Sequence, residues 1–320
     1  KVLEKRSTIN KLELPISNFM NGNSYFNSPF IKTDVKDSNY LYRAKRMYDS
    51  LNIKGNNLQS RFRTTEIDFR IFQYLDESLN NYKQINDVTN DKDLKLKTIN
   101  RVVDVLVAKG NLDEALNFIN TEISQYIWNK DEKINLQIKL NQILFYQSEL
   151  NLVFENLNLI LKEFSSQEDS YNDILSILSV VLLLKDEDEY VSNKYIKAQL
   201  KINQNKRVES IGILNSILEG CNNNKISCKN NLTLALIKYQ ISNLLISQNK
   251  PNDAIIVLES INGDSIYTEL ASIFLAEIYD YIKEDKNTAT RYYLLILQEY
   301  PQSIYYEIIR KRLRTILEKT

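Results

Sequence analysis

Histidine is absent from all 320 residues. Its absence excludes Ser-His-Asp and Cys-His catalysis, the usual zinc enzymes and imidazole proton shuttles. Only two cysteines are present, too few for a Cys₄ metal site or an unaided iron–sulfur cluster. Glycine (6) and proline (4) are scarce, whereas a β-rich chain of this length needs many turn residues; the shortage favours helices joined by short loops. Net charge is missing too: Lys+Arg and Asp+Glu both total 41, so there is no basic excess to displace the counterions of a nucleic acid. No apolar run reaches the roughly 18–20 residues of a membrane span. The most apolar run, Ile174 to Leu184, is short and carries serines. No signal peptide is legible, because Lys1 opens a charged segment, and a processed or truncated chain would read the same way.

What is present is a folded, apolar-rich composition, 43% hydrophobic, long enough for one or two globular units or one continuous solenoid. Residues 1–38 stand apart. They hold Pro15, Pro29 and Gly22 and show no 3.6-residue period, and the short alternation "KLELPIS" would suit an extended segment. This stretch reads as an irregular N-terminal arm packed on the first helices, with a functional segment as the alternative. From residue 39 the period becomes helical: Leu41, Ala44, Met47/Tyr48 and Leu51 share one face, then Phe62, Ile67, Ile71, Tyr74/Leu75 and Leu79.

A helix stop-and-restart then recurs. In "AKGNLDEA", Gly110 suits a left-handed closing residue, and Asn111 with Glu114 suits a capping box. Comparable turns fall at Ser148, Asn205 and Asn249, and near Lys286. Five residues after the first four come Ala115, Val153, Ser210 and Ala254, with Ala289 in the same place in the last unit. Four residues further on stand Ile119, Leu157, Leu214, Leu258 and Tyr293. A small side chain lets two helices approach closely, and the large one that follows fills the groove. Two-helix units recurring roughly every 35–57 residues indicate a solenoid. The stretch 165–190 breaks the pattern with an extra helix, and residues 39–90 read as helical without the repeat motif.

The last unit carries a resemblance. Ala276, Tyr279, Ala289, Tyr293 and Pro301 lie near the small–Tyr–Ala–aromatic–Pro pattern of tetratricopeptide repeats, with one extra residue in the turn, and residues 95–320 resemble that family. Pro301 would end one helix pair and fit the first turn of the next. The closing "YPQSIYYEIIRKRLRTIL" resembles the final repeat of bacterial envelope proteins of the barrel-assembly and Tol–Pal-associated types. The resemblance implies an all-α, right-handed solenoid of stacked antiparallel helix pairs over 39–320. It also implies a non-enzymatic scaffold or adaptor that binds protein partners within a multi-subunit complex, periplasmic and associated with the outer membrane. A lipid anchor outside this sequence would fit that placement. A cytoplasmic peptide receptor is one alternative, and the targeting module of a larger enzyme is another.

Candidate sites are few. The acidic run Asp186, Glu187, Asp188 and Glu189 lacks a facing cluster and the Gly and terminal Glu of an EF-hand loop, so it reads as a solvated interhelix loop. Cys221 and Cys228, in "CNNNKISC", are either a disulfide closing a small surface loop or two separate thiols. Tyrosine crowds the last two repeats, and adjacent pairs cannot both point inward. Tyr292, Tyr305 and Tyr306, with Arg310 and Arg314 one turn apart on the last helix, are the candidate partner-binding surface; the alternative is tyrosines at the core edge and cations that suit the helix C-terminus. No catalytic constellation, cofactor site or metal site is expected.

Overall fold

The computed structural model describes Pro29 and residues 35–55, 57–163, 169–263 and 265–318. Among these residues there are fifteen α-helices and no strand. In chain order they are α1 (Val35–Gly55), α2 (Leu58–Ile67), α3 (Leu75–Val88), α4 (Lys92–Lys109), α5 (Leu112–Gln125), α6 (Lys130–Tyr146), α7 (Leu150–Glu163) and α8 (Asp169–Asp186). Then follow α9 (Glu189–Asn203), α10 (Arg207–Asn222), α11 (Asn231–Ser247), α12 (Pro251–Glu259), α13 (Ile266–Glu277), α14 (Lys286–Glu299) and α15 (Tyr306–Leu317). The arm expected over 1–38, with its "KLELPIS" alternation, lies outside the described residues except for Pro29 and the start of α1.

The chain forms two compact units. One gathers the described residues up to Lys185 with Ser192–Ser210; the other gathers Asp186–Val191 and residues from Ile211 onward. In the first unit each helix from α1 to α7 packs on the next, and α4 also packs on α6. In the second, α11 to α15 pack in sequence and α11 also packs on α13. Contacts between neighbours and between every second helix are what stacked helix pairs produce.

The turns explain why the pairs form. Gly110, Ser148, Asn205 and Asn249 all take positive φ (87°, 66°, 61° and 61°), so the chain reverses there as its sequence suggests. The following amide reaches back to close the helix: Asn111 N–H to Leu106 O, Glu149 to Leu144, Lys206 to Lys201 and Lys250 to Leu245, at 2.8–3.0 Å. These are the six-to-one bonds of a Schellman ending, and they satisfy carbonyls that the helix end would otherwise orphan. At the last turn, expected near Lys286, the positive-φ residue is Glu284 (56°), and Lys286 already begins α14.

A π-helical turn over Ile278–Ile282 accounts for the extra residue of this last unit. There the amide of Asp285 reaches back one residue further, to Tyr279 O at 2.9 Å. The same device appears where no repeat was legible. A π-helical turn spans Asp68–Phe72, Gln73 takes φ 60°, and the Tyr74 amide reaches Asp68 O at 3.0 Å.

With these two turns added, one register follows six left-handed turns. Five residues after the left-handed turn stand Ser78, Ala115, Val153, Ser210, Ala254 and Ala289, all 0% exposed. Nine after it stand Tyr82, Ile119, Leu157, Leu214, Leu258 and Tyr293, all buried. The helices outside the pairs are α1, α8 and α15, and α8 is the extra helix expected over 165–190.

Two local expectations change. Asn111 makes no cap bond to backbone, because its amide donates to the Glu114 carboxylate instead (3.1 Å). The capping box is at Asn129 and Glu132, opening α6. Pro301 sits in the connection before α15 rather than in its first turn; the proline that opens a helix is Pro251, in α12.

Candidate functional site

The first helices of three consecutive pairs, α2, α4 and α6, present one face each to a groove of about 470 Å3 in the N-terminal unit. Five cations line it, Arg63, Arg70, Lys97, Arg101 and Lys139, against two carboxylates, Glu66 and Asp104. Phe62, Asn100, Asn135, Ile138 and Gln142 complete the lining. Successive pairs repeat their geometry, so residues one repeat apart fall side by side. Arg101 meets Glu66 and Lys139 meets Asp104, each across 35 residues of sequence.

The two carboxylates are buried and held on several sides. Arg101 donates from Nε to Glu66 Oε1 (2.5 Å) and from Nη2 to Oε2 (3.2 Å), and its Nη1 donates to Asp104 Oδ2 (2.7 Å). The Tyr82 hydroxyl donates to Glu66 Oε1 (2.6 Å), while Arg70 lies 3.4 Å from Oε2. Lys139 Nζ donates to Asp104 Oδ1 (2.5 Å) and to Gln142 Oε1 (2.9 Å). Burial works to raise both carboxyl pKa values, but the charges and hydrogen bonds of Arg101 and Lys139 more than offset it. Both are held below the ordinary carboxylate range. Tyr82 shifts the other way, pushed up by burial and by Glu66.

This network spans the register and the groove, for Tyr82 fills the large register position of its pair while its hydroxyl reaches Glu66 on the groove face. Further along the same face Asn100 donates to Asn135 (2.8 Å), another step of 35 residues, and Lys97 pairs with Asp93. The result is a polar strip with an excess of positive charge, on rigid helices, beside the apolar patches of Phe62 and Ile138. Such a lining suits an extended polypeptide bearing acidic groups, by charge-assisted hydrogen bonds and shallow apolar contact.

No protein-family model matches this chain, and no curated protein sequence matches it either.

In the C-terminal unit the expected partner-binding residues divide. Arg310 and Arg314 are exposed, with Arg310 Nη2 paired to Glu307 at 2.7 Å. Tyr306 and Tyr305 are half-buried, and Tyr305 packs on the terminal core of Ile273, Ala289, Tyr293 and Ile309. Tyr292 is half-buried, stacked on Tyr279 with ring centroids 5.7 Å apart, and its hydroxyl lies 3.3 Å from Glu259. Burial, then Glu259, pushes its pKa up to about 12. Between the two outward arginines, Arg312 turns inward. It clamps the fully buried Asp280 through Nε (2.7 Å) and Nη2 (2.9 Å), while Lys286 and the Tyr293 hydroxyl bind the same carboxylate. The last helix buries Ile309, Leu313 and Ile316 and leaves Ile308 and Leu317 exposed; Ile304, just ahead of it, is exposed as well.

The acidic run is not wholly solvated. Glu187 is buried and accepts from the backbone amides of Lys229 (2.7 Å) and Asn230 (3.2 Å), just ahead of α11. Asp188 accepts from the Tyr190 amide at the start of α9 (3.0 Å). Among the described residues no three His, Cys, Asp or Glu side chains converge to hold a metal ion, and no helix is long and apolar enough to cross a membrane. Cys221 and Cys228 are joined as a disulfide, their Cα atoms 5.7 Å apart.

The hydrophobic pattern alone misses Glu66, Arg101, Asp104 and Lys139. A signal was nonetheless present: charges of opposite sign recur at the repeat length, and stacking turns that spacing into contact.

Proposed function

We propose that this chain is a non-enzymatic interaction scaffold, a right-handed solenoid of tetratricopeptide type whose N-terminal unit binds an extended, acidic segment of a partner protein. Several spacings support the repeat type. Hydrogen bonds from one pair to the segment that follows it join residues 32 to 36 apart: Asp280–Arg312, Glu269–Ser303, Asp113–Gln147, Asn100–Asn135 and Asn86–Glu122 among them. They cluster about the 34-residue tetratricopeptide period.

The observation that carries the binding reading is the groove across α2, α4 and α6, with five lining cations to two carboxylates, both carboxylates already engaged internally. Lys97 also pairs with Asp93, so the cations exceed the carboxylates they meet by two. The Cys221–Cys228 bond favours an oxidising compartment, which agrees with an envelope setting and with a complex assembled there.

The test is titration of fluorescent extended peptides, acidic and charge-neutral, against the intact chain at two salt concentrations. Acidic peptides should bind more tightly, and added salt should weaken them. The double variant Arg63→Glu/Lys97→Glu, both positions exposed, should lose at least about tenfold in affinity with unchanged helicity, as loss of two charge contacts implies. Charge reversal at Arg310 and Arg314 should leave this binding unchanged. If reversal there removes binding while the groove variant retains it, the site lies on the last helix and the groove reading fails.

A further inference from the structure

We propose that the Cys221–Cys228 disulfide is a redox latch that holds one wall of a surface pocket in the C-terminal unit. The lining of the pocket, of about 560 Å3, includes Asp188, Tyr190 and Glu219, together with Asn223, Lys225 and Ile226. The last three lie inside the ring closed by the disulfide.

The loop is anchored at both ends, immediately beside the cysteines. Gly220 precedes Cys221, and its carbonyl accepts from the amides of Lys225 (2.9 Å) and Ile226 (3.1 Å). The Ile226 side chain covers the same glycine so closely that a Cβ there would stand 2.1 Å from Ile226 Cδ1. At the other end, Lys229 follows Cys228, and the amides of Lys229 and Asn230 end on the buried Glu187 carboxylate. The covalent bond thus stands between two hydrogen-bonded anchors and ties them into one ring. Asn223, Asn224 and Lys225 are exposed, and Asn224 takes a left-handed φ of 53°. Without the bond, the loop is ordered by these contacts and by the amides of Asn223 and Asn224, which reach Glu219 O and Cys221 O at 3.1 Å.

Both cysteines are half-buried and accessible to small reductants. A dithiol reductant opens the latch by exchange: its thiolate attacks one sulfur and forms a mixed disulfide, releasing the other cysteine as a thiol. The second thiol of the reductant then displaces the remaining cysteine. Two electrons and two protons pass to the protein, which gains two thiols, and the reductant leaves as its own disulfide. The oxidised form holds the pocket wall; the reduced form releases it.

Hydrogen exchange on the intact chain, oxidised and after treatment with a dithiol, reads this directly. The amides of Lys225, Ile226, Lys229 and Asn230 should exchange at least about tenfold faster after reduction, the scale that a short closed loop's entropy allows. Amides in the middle of α13 should not change, and reoxidation should restore the slow rates. The Cys221→Ser/Cys228→Ser variant should match the reduced form with or without reductant. Equal rates in both states would overturn the proposal, because the bond would then add nothing to the loop. Faster exchange throughout the unit, or a double variant that does not fold, would overturn it in the other direction, by making the bond a staple of the fold.

Discussion

The small-residue position five beyond each left-handed turn makes a two-sided test of the register. Ser78 and Ser210 occupy it in two pairs, fully buried, and neither hydroxyl has a hydrogen-bond partner. A hydroxyl taken out of water without a partner costs about 1–3 kcal/mol. Alanine also forms helix better than serine, by up to about 0.5 kcal/mol. Against this stands the small void left by one oxygen. Ser78→Ala and Ser210→Ala should therefore each stabilise the fold, by about 1–2 kcal/mol after the void is counted. At roughly 2–4 °C per kcal/mol for units of this size, the melting temperature rises by about 2–8 °C.

The opposite substitutions must do the opposite. Ala115→Ser and Ala254→Ser create the same unpartnered hydroxyl and should lower the melting temperature by a similar amount. Ala254→Arg and Ala289→Arg add overpacking and a buried charge, and should cost about 3–5 kcal/mol or more. Circular dichroism at 222 nm during thermal and urea unfolding reads all six. If serine-to-alanine lowers stability at both sites, or alanine-to-serine leaves it unchanged, these positions are not equivalent and the register is wrong.

Asp280 makes stability depend on pH. Burial would raise its pKa, but hydrogen bonds from Arg312 and Lys286 hold it below the ordinary value of 3.8. Its contribution is therefore full above that value and is lost as the pH falls through the lower folded pKa. Urea midpoints measured from pH 6 to pH 2.5 should fall more steeply for the natural chain than for Asp280→Asn, and parallel curves would refute this. Arg101→Ala leaves Glu66 and Asp104 buried with weaker partners and should cost about 3–5 kcal/mol in urea unfolding. Arg101→Lys keeps the charge but loses the fork that grips both carboxylates, so it should recover only part of that loss. A full recovery would mean that charge alone, without geometry, holds the network.

Much of the fold was legible because its strongest signals are local. Gly110, Ser148, Asn205 and Asn249 tolerate or favour the left-handed conformation, and the buried small and large residues follow at fixed distances, so four pairs could be read from one linear pattern. The pair at Gln73 was illegible for a physical reason. A π-helical turn adds one residue before the reversal, and the turn residue is an ordinary glutamine. The last pair carries the same insertion, ahead of a turn at Glu284 that the sequence placed only near Lys286. The groove was harder still. Its charges look like solvated helix faces until stacking sets Glu66 beside Arg101 and Asp104 beside Lys139, and only three dimensions show which cations are spent internally. Likewise the row from Arg310 to Arg314 looked uniform, yet the fold turns Arg312 inward to Asp280.

These observations divide the labour between the two helices of a pair. The second helix carries the small and large register residues, whose tolerances are set by close packing and leave little room for variation. The first helix carries the groove face, where polar residues can change without disturbing the stack, provided the buried acids stay paired. Tyr82 and Tyr293 join the two roles. Each fills the large register position with its ring while its hydroxyl holds a buried carboxylate, Glu66 or Asp280. In the N-terminal unit that carboxylate fixes Arg101 and hence the floor of the groove; in the C-terminal unit it fixes Arg312 beneath the exposed Arg310 and Arg314. Core packing and the charged faces are therefore separable at most positions of these pairs and coupled at these two. Phenylalanine at either tyrosine would keep the ring but leave one carboxylate short of a donor, so it should weaken the fold modestly and loosen the arginine as well.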